Sequence, residues 1–231
     1  KDATHAVAHC YRGLADFADA LARMYSGLTP AAGPQAWTAV TKPQRSAQRA
    51  ALEAARGRIR EVQDTRTSRR ARANQLTYLL DSAEDSFIAL VACADLLESH
   101  APHWLGRSAG AHLSHALHRY ASVCNAIAST SDVSDPKQAQ CLRERLAHYG
   151  AGLHDLRGGA MAYAPDLATM VPVLDRLLQT AQAVTQALFD QVDAPAAPAQ
   201  QGRATSRARQ AWRTLRQNLG VESDAFRHAL R

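Results

Sequence analysis

The sequence predicts an all-α protein, an antiparallel bundle of about six to seven helices with a C-terminal helix next to a membrane. Three observations lead there. Hydrophobic residues make up 46% of the 231 residues, yet only 12 are Gly, 9 are Pro and 6% are aromatic. Ala, Leu, Arg and Gln, all strong helix formers, supply much of the chain. Apolar side chains recur at alternating spacings of three and four, the period of a helix with one buried face. No run approaches the roughly 18 apolar residues that a membrane-spanning helix needs, and the first residues lack the three regions of a signal peptide. A chain of this length can bury enough surface for a core without disulfides or metal.

The first helix is expected from about Thr4 to Leu28, with Val7, Tyr11, Leu14, Ala18, Leu21, Tyr25 and Leu28 on one stripe. Whether Gly13, in the middle of that stripe, marks a close helix crossing is left open by the sequence. Residues 29–42 are Pro-containing and read as a loop, with Trp37 as a packing plug. A second helix, from about Pro43 to Thr67, carries Leu52, Ala55, Ile59 and Val62 on one face. Its other face is basic. From Arg45 to Arg72 there are nine Arg against Glu53, Glu61 and Asp64, a local balance of +6. That face is a solvated surface or a site for anionic headgroups or an acidic partner; it lacks the interleaved aromatics expected for nucleic acid.

The third helix, from about Ser68 to Ser99, has the longest apolar stripe and the carboxylates Asp81, Glu84, Asp85, Asp95 and Glu98. Glu84 and Asp85 are sequence neighbours and diverge by about 100° on a helix, so they do not form a catalytic pair. A fourth helix, from about Leu105 to Ser129, bears His112, His115 and His118. Two steps of three residues turn the outer imidazoles about 120° apart, which cannot close on one metal from a single helix. His5 and His9 have the i, i+4 spacing without a recognisable third ligand. Exposed, these histidines would titrate near neutral pH.

Ser134-Asp135-Pro136 is a helix start. The fifth helix carries Leu142, Leu146, Tyr149 and Leu153 and is expected to stop at Gly158-Gly159. A sixth follows from about Pro165 to Val192, with Pro172 in its first turns. Cys10, Cys93, Cys124 and Cys141 are far apart without a C-x-x-C pair, which favours buried reduced thiols and a reducing compartment. Neither a catalytic motif nor a metal or cofactor signature appears, so the sequence reads as non-enzymatic.

Residues 1–193 are thus expected to form the helical bundle, 194–202 a Pro/Ala-rich linker, and 203–231 a basic connector. Arg203, Arg207, Arg209, Arg213 and Arg216 crowd a short helix with Trp212, and with Arg227, His228 and Arg231 they make the candidate juxtamembrane surface. From Arg203 to Arg231 the balance is seven basic against two acidic, or +5. Arginines kept on the inner side and an indole at the interface are what precedes a membrane span on its cytoplasmic side. Ser223 and Asp224 begin a helix that breaks off within two turns, which suggests a piece of a longer protein.

Val221-Glu222-Ser223-Asp224-Ala225-Phe226-Arg227-His228-Ala229-Leu230-Arg231 resembles the signature that opens the second membrane half of bacterial fusaric-acid-resistance-type (FUSC-like) inner-membrane transporters, in their YccS-like branch. Cys10-Tyr11-Arg12-Gly13-Leu14-Ala15-Asp16-Phe17 looks like the start of the soluble region that follows the first membrane half in that branch. Asp81, Ala83, Glu84, Asp85, Phe87 and Leu90 are similar to a third stretch of the family. The resemblance implies a cytoplasmic helical domain between two sets of membrane helices in an inner-membrane exporter of aromatic or other organic acids. Expected partners are the membrane halves of the same chain, a periplasmic adaptor protein, an anionic lipid surface and further copies of the chain, with no nucleic acid. The alternative is a stand-alone interaction module that binds an acidic partner through the Arg45 to Arg72 face.

Overall fold

The computed structural model describes residues 2–27, 34–63, 70–100, 107–130, 136–163 and 170–193. They form six α-helices and, among these described residues, no strand. The helices are α1 (Asp2–Gly27), α2 (Pro34–Gln63), α3 (Arg70–His100), α4 (Arg107–Ser129), α5 (Pro136–Tyr163) and α6 (Val171–Asp193). They belong to one compact unit, Lys1–Val192; a second unit, Asp193–Arg231, lies past Asp193 outside the described residues.

Cross-helix pairs give the topology. Tyr25 meets Trp37 and Cys10 meets Gln48, so α1 and α2 are antiparallel. Arg45 meets Asp95 and Gln63 meets Thr77, which makes α2 and α3 antiparallel. Tyr11 bonds to Leu79 and Phe17 packs on Phe87, so α1 and α3 run in parallel. Ala22 with Ser114 and Asp19 with His118 set α4 antiparallel to α1. Arg119 with His148 and Ser122 with Arg145 repeat the pattern for α4 and α5, and Tyr149 with Leu174 and Arg143 with Phe189 for α5 and α6. The result is an up-and-down bundle in which α1, α3 and α5 point one way and α2, α4 and α6 the other.

Burial divides the helices into two kinds. In α2, α5 and α6 the buried residues keep to one stripe: Trp37, Leu52, Ala55 and Ile59; Leu142, Leu146, Tyr149, Leu153 and Leu156; and Val173, Leu174, Leu177, Ala181, Val184 and Leu188. In α1, α3 and α4 burial extends most of the way round, as with Leu14, Ala15, Phe17 and Ala18, or Leu113, Ala116, Leu117, Tyr120 and Ala121. Those three are interior helices and the other three flank them, which is why α1 and α4 can share the most extensive interface of the bundle. Small side chains on both, including Ala18, Ala22 and Ala121, let the axes come close.

Three boundaries differ from the sequence reading. The expected loop over residues 29–42 gives way to helix from Pro34, and Pro43 lies inside α2. Proline at the first helical position gives up only an N–H that would be unbonded anyway. Pro43 does cost a bond, but Trp37 and Thr41, 1% and 2% exposed, pin the preceding turns to the core. The helix expected to stop at Gly158-Gly159 continues to Tyr163. Gly158 keeps a helical backbone, and buried Leu153 and Leu156 hold that turn down. The sixth helix starts at Val171, not near Pro165, and Pro172 falls in its first turn. Trp37 is the expected packing plug, edge-on to Tyr25 at 5.9 Å between ring centroids.

Candidate functional site

The carboxylates of α3 turn outward between its neighbours and meet arginines there. Arg45 reaches Asp95 at 2.7 Å, and the Thr41 hydroxyl donates to Glu98 at 3.3 Å. Arg56 bridges Glu53 on its own helix and Glu84 on α3. On the far side of α3, Arg176 of α6 reaches Asp85 at 3.4 Å. These pairs explain how one helix can carry acids on a mostly buried body: Glu84, Asp85, Asp95 and Glu98 each sit at the rim of an interface, where a partner helix supplies a cation or a hydroxyl. Burial raises the Glu84 carboxyl above its usual range, and the Arg56 guanidinium beside it pulls the other way.

The basic face of the second helix is therefore not one uniform field. Arg45 and Arg56 are turned onto α3, Arg58 pairs with Glu61 at 3.1 Å, and Arg72 donates to the Thr4 hydroxyl at 3.2 Å. Arg60 is exposed, whereas Arg66 and Arg69 lie outside the described residues.

At the α1–α2 crossing, Gln48 is buried and its amide donates to the Cys10 carbonyl at 3.1 Å. It lies over Gly13, where an added Cβ would overlap the Gln48 Oε1 atom. Gly13 does mark a close crossing, and the partner that needs the space is a polar side chain. Cys10, Cys93 and Cys124 are buried, and burial pushes each up to about 12. They are thiols and not thiolates at neutral pH, unsuited to nucleophilic or redox work. The phenols of Tyr11, Tyr120 and Tyr149 are likewise held protonated by burial, and Tyr11 and Tyr149 donate to the Leu79 and Leu174 carbonyls at 2.9 and 2.8 Å.

The histidines take the opposite position. His112, His115 and His118 are all exposed on α4, and the Nδ1 atom of His118 lies 2.7 Å from Asp19 of α1. His5 and His9 are exposed on α1. Among the described residues no group of three or more His, Cys, Asp and Glu side chains is placed to hold a metal ion. The candidate juxtamembrane residues, Arg203, Arg207, Arg209, Trp212, Arg213, Arg216, Arg227, His228 and Arg231, and the 194–202 linker lie outside the described residues. No described helix is long and apolar enough to cross a membrane.

Sequence periodicity exposes the stripes but not the pairing of α3 acids with particular arginines, nor the Gln48–Cys10 bond. The isolated Gln48 among Ala and Arg, one turn before Leu52 on the apolar stripe, is the local signal for the latter. The chain matches no protein-family model, no curated protein and no solved structure.

Proposed function

We propose that this chain is a helical domain of a FUSC-like bacterial inner-membrane exporter of aromatic or other organic acids, standing on the cytoplasmic side. Its role there is assembly, coupling or regulation, without chemistry of its own. The observation that carries the reading is the Val221 to Arg231 run, which resembles the family signature and follows a basic segment bearing Trp212. The body of the domain is compatible with a structural part: its buried thiols and phenols are protonated and its central carboxylates are engaged across helix interfaces. The alternative, an acidic partner gripped by the Arg45 to Arg72 face, is weakened because Arg45 and Arg56 already face carboxylates of α3.

The test is to tag the native protein within the Asp193 to Gly202 segment and fractionate its host. Recovery in membranes after alkaline extraction, with the tag digested only once the inner membrane is opened, is expected. Recovery in the soluble fraction, or digestion from the periplasm, would refute the reading.

A further inference from the structure

Because α1 and α4 are buried most of the way round, each shows solvent a single strip, and the two strips adjoin. On α1 the strip is His5, His9, Arg12, Asp16 and Arg23, with Asp19 at its edge. On α4 it is His112, His115, His118, Asn125 and Ser129. The Asp19–His118 contact joins them. Arg119, which donates to the His148 carbonyl at 3.1 Å, ties the adjoining edge of α5 to the same face and brings exposed His148 with it. Six of the chain's 10 histidines therefore share one surface.

The fixed charges bordering these imidazoles nearly cancel. On α1 itself Arg12 and Arg23 stand against Asp16 and Asp19. From α4 and α5 come Arg119, Lys137 and Arg145 against Glu144 and Asp155. From α2 and α3, at the His5 end, come the Arg58–Glu61 pair and Arg72. Imidazole is the side chain that ordinarily changes charge between pH 5 and 8.

We propose that the outer face of α1 and α4 is an acid-activated docking surface for an anionic lipid bilayer. Its surface chemistry favours lipid over protein. Protein interfaces anchor on aromatic and aliphatic side chains, whereas the one large apolar side chain exposed among the described residues is Val40, on α2. A planar sheet of headgroups needs no such anchor and is held by charge alone. Two helices of 26 and 23 residues give a strip about 35 Å long, enough to lie on several headgroups at once. The proposal goes beyond the exporter reading and does not depend on it, because it concerns the domain's own binding.

The test uses the full chain with vesicles of phosphatidylcholine, with or without phosphatidylserine, at about pH 5.5 and about pH 7.5, either side of the imidazole range. Anionic vesicles should be bound at least about tenfold more tightly at the lower pH, since each positive charge near such a surface strengthens binding about fivefold. The gain should disappear at high salt. The variant with His5, His9, His112 and His115 each changed to Gln should lose most of the gain while keeping its melting temperature. His118 is left in place because it contacts Asp19. The Arg203 to Arg231 segment, including His228, is the same in both proteins, so its contribution cancels in the comparison. An undiminished acid gain in the variant, or no acid gain at all, would overturn the proposal. An acid gain toward polyglutamate without one toward vesicles would also overturn it and assign the face to an acidic protein.

Discussion

Replacing Gly13 by Ala should destabilise the bundle even though it puts a better helix former into the middle of α1. Taken alone, the change favours the helix by about 0.8–1.0 kcal/mol. Against that, the new Cβ overlaps Gln48 Oε1 and lies 3.3 Å from its Cδ. Gln48 is 1% exposed, so it cannot swing into water and must give up its bond to the Cys10 carbonyl. A buried amide left without that partner costs about 1–3 kcal/mol, and crowding the crossing costs about 1–3 kcal/mol more. The net effect is about 2 kcal/mol of lost stability, because a long side chain relieves part of the overlap by rotating. For a domain of this size the melting temperature should fall by about 4–8 °C. Gly57 is the matched control: it is exposed in mid-α2 and a Cβ there would meet nothing within 4 Å. Gly57→Ala should raise the melting temperature by about 1–4 °C. Thermal unfolding of both variants, with the double-mutant cycle through Gln48→Ala, decides the matter. If Gly13→Ala stabilises as Gly57→Ala does, or shows no coupling to Gln48, the close crossing is wrong.

The pH response of Glu84 has a definite sign. Its folded pKa is raised, chiefly by burial, so the stability it contributes is greatest below the ordinary carboxylate value and is lost as pH rises through the raised one. Urea unfolding across pH 4 to 7 should show wild type losing stability relative to Glu84→Gln as pH increases; a difference independent of pH would contradict it. Thiol labelling under native conditions should modify Cys141, which is partly exposed, and spare Cys10, Cys93 and Cys124 until the protein unfolds. Mass spectrometry of peptides reads this directly, and rapid labelling of Cys93 would contradict the packing. Tyr149→Phe, which removes the 2.8 Å bond to Leu174, should cost about 1–1.5 kcal/mol. Tyr25→Phe should be neutral or stabilising, because that buried hydroxyl has no hydrogen-bonding partner among the described residues. Denaturant midpoints in the reverse order would overturn the assignment of those two hydroxyls.

The all-α class and the stripes of α1, α3 and α6 were legible because burial acts on every third or fourth residue, and Leu14, Leu80 or Leu177 declare themselves by spacing alone. Proline and glycine misled where tertiary burial outweighed a local preference. Trp37 and Thr41 hold helix on the N-terminal side of Pro43, and Leu153 and Leu156 carry α5 past Gly158. The basic face of α2 could be counted but not apportioned, since nothing in the spacing of Arg45 and Arg56 indicates that Asp95 and Glu84 lie opposite. The histidine surface was invisible for a related reason. His5 and His112 are separated by more than a hundred residues, and only the packing of α1 on α4 places them on one side of the molecule, toward opposite ends of the strip.

That same packing sets an order of events during synthesis. Of the six described helices α1 is made before the others, yet it finds its largest partner in α4, which ends at Ser129. At about 5–20 residues per second, roughly 5–20 s separate completion of α1 from completion of α4 on the ribosome. Throughout that interval Leu14, Phe17, Leu21 and their neighbours have only α2 and α3 to cover them. A nascent chain arrested after α3 would present a sticky, half-covered hairpin, the kind of surface that chaperones hold until the missing helix arrives.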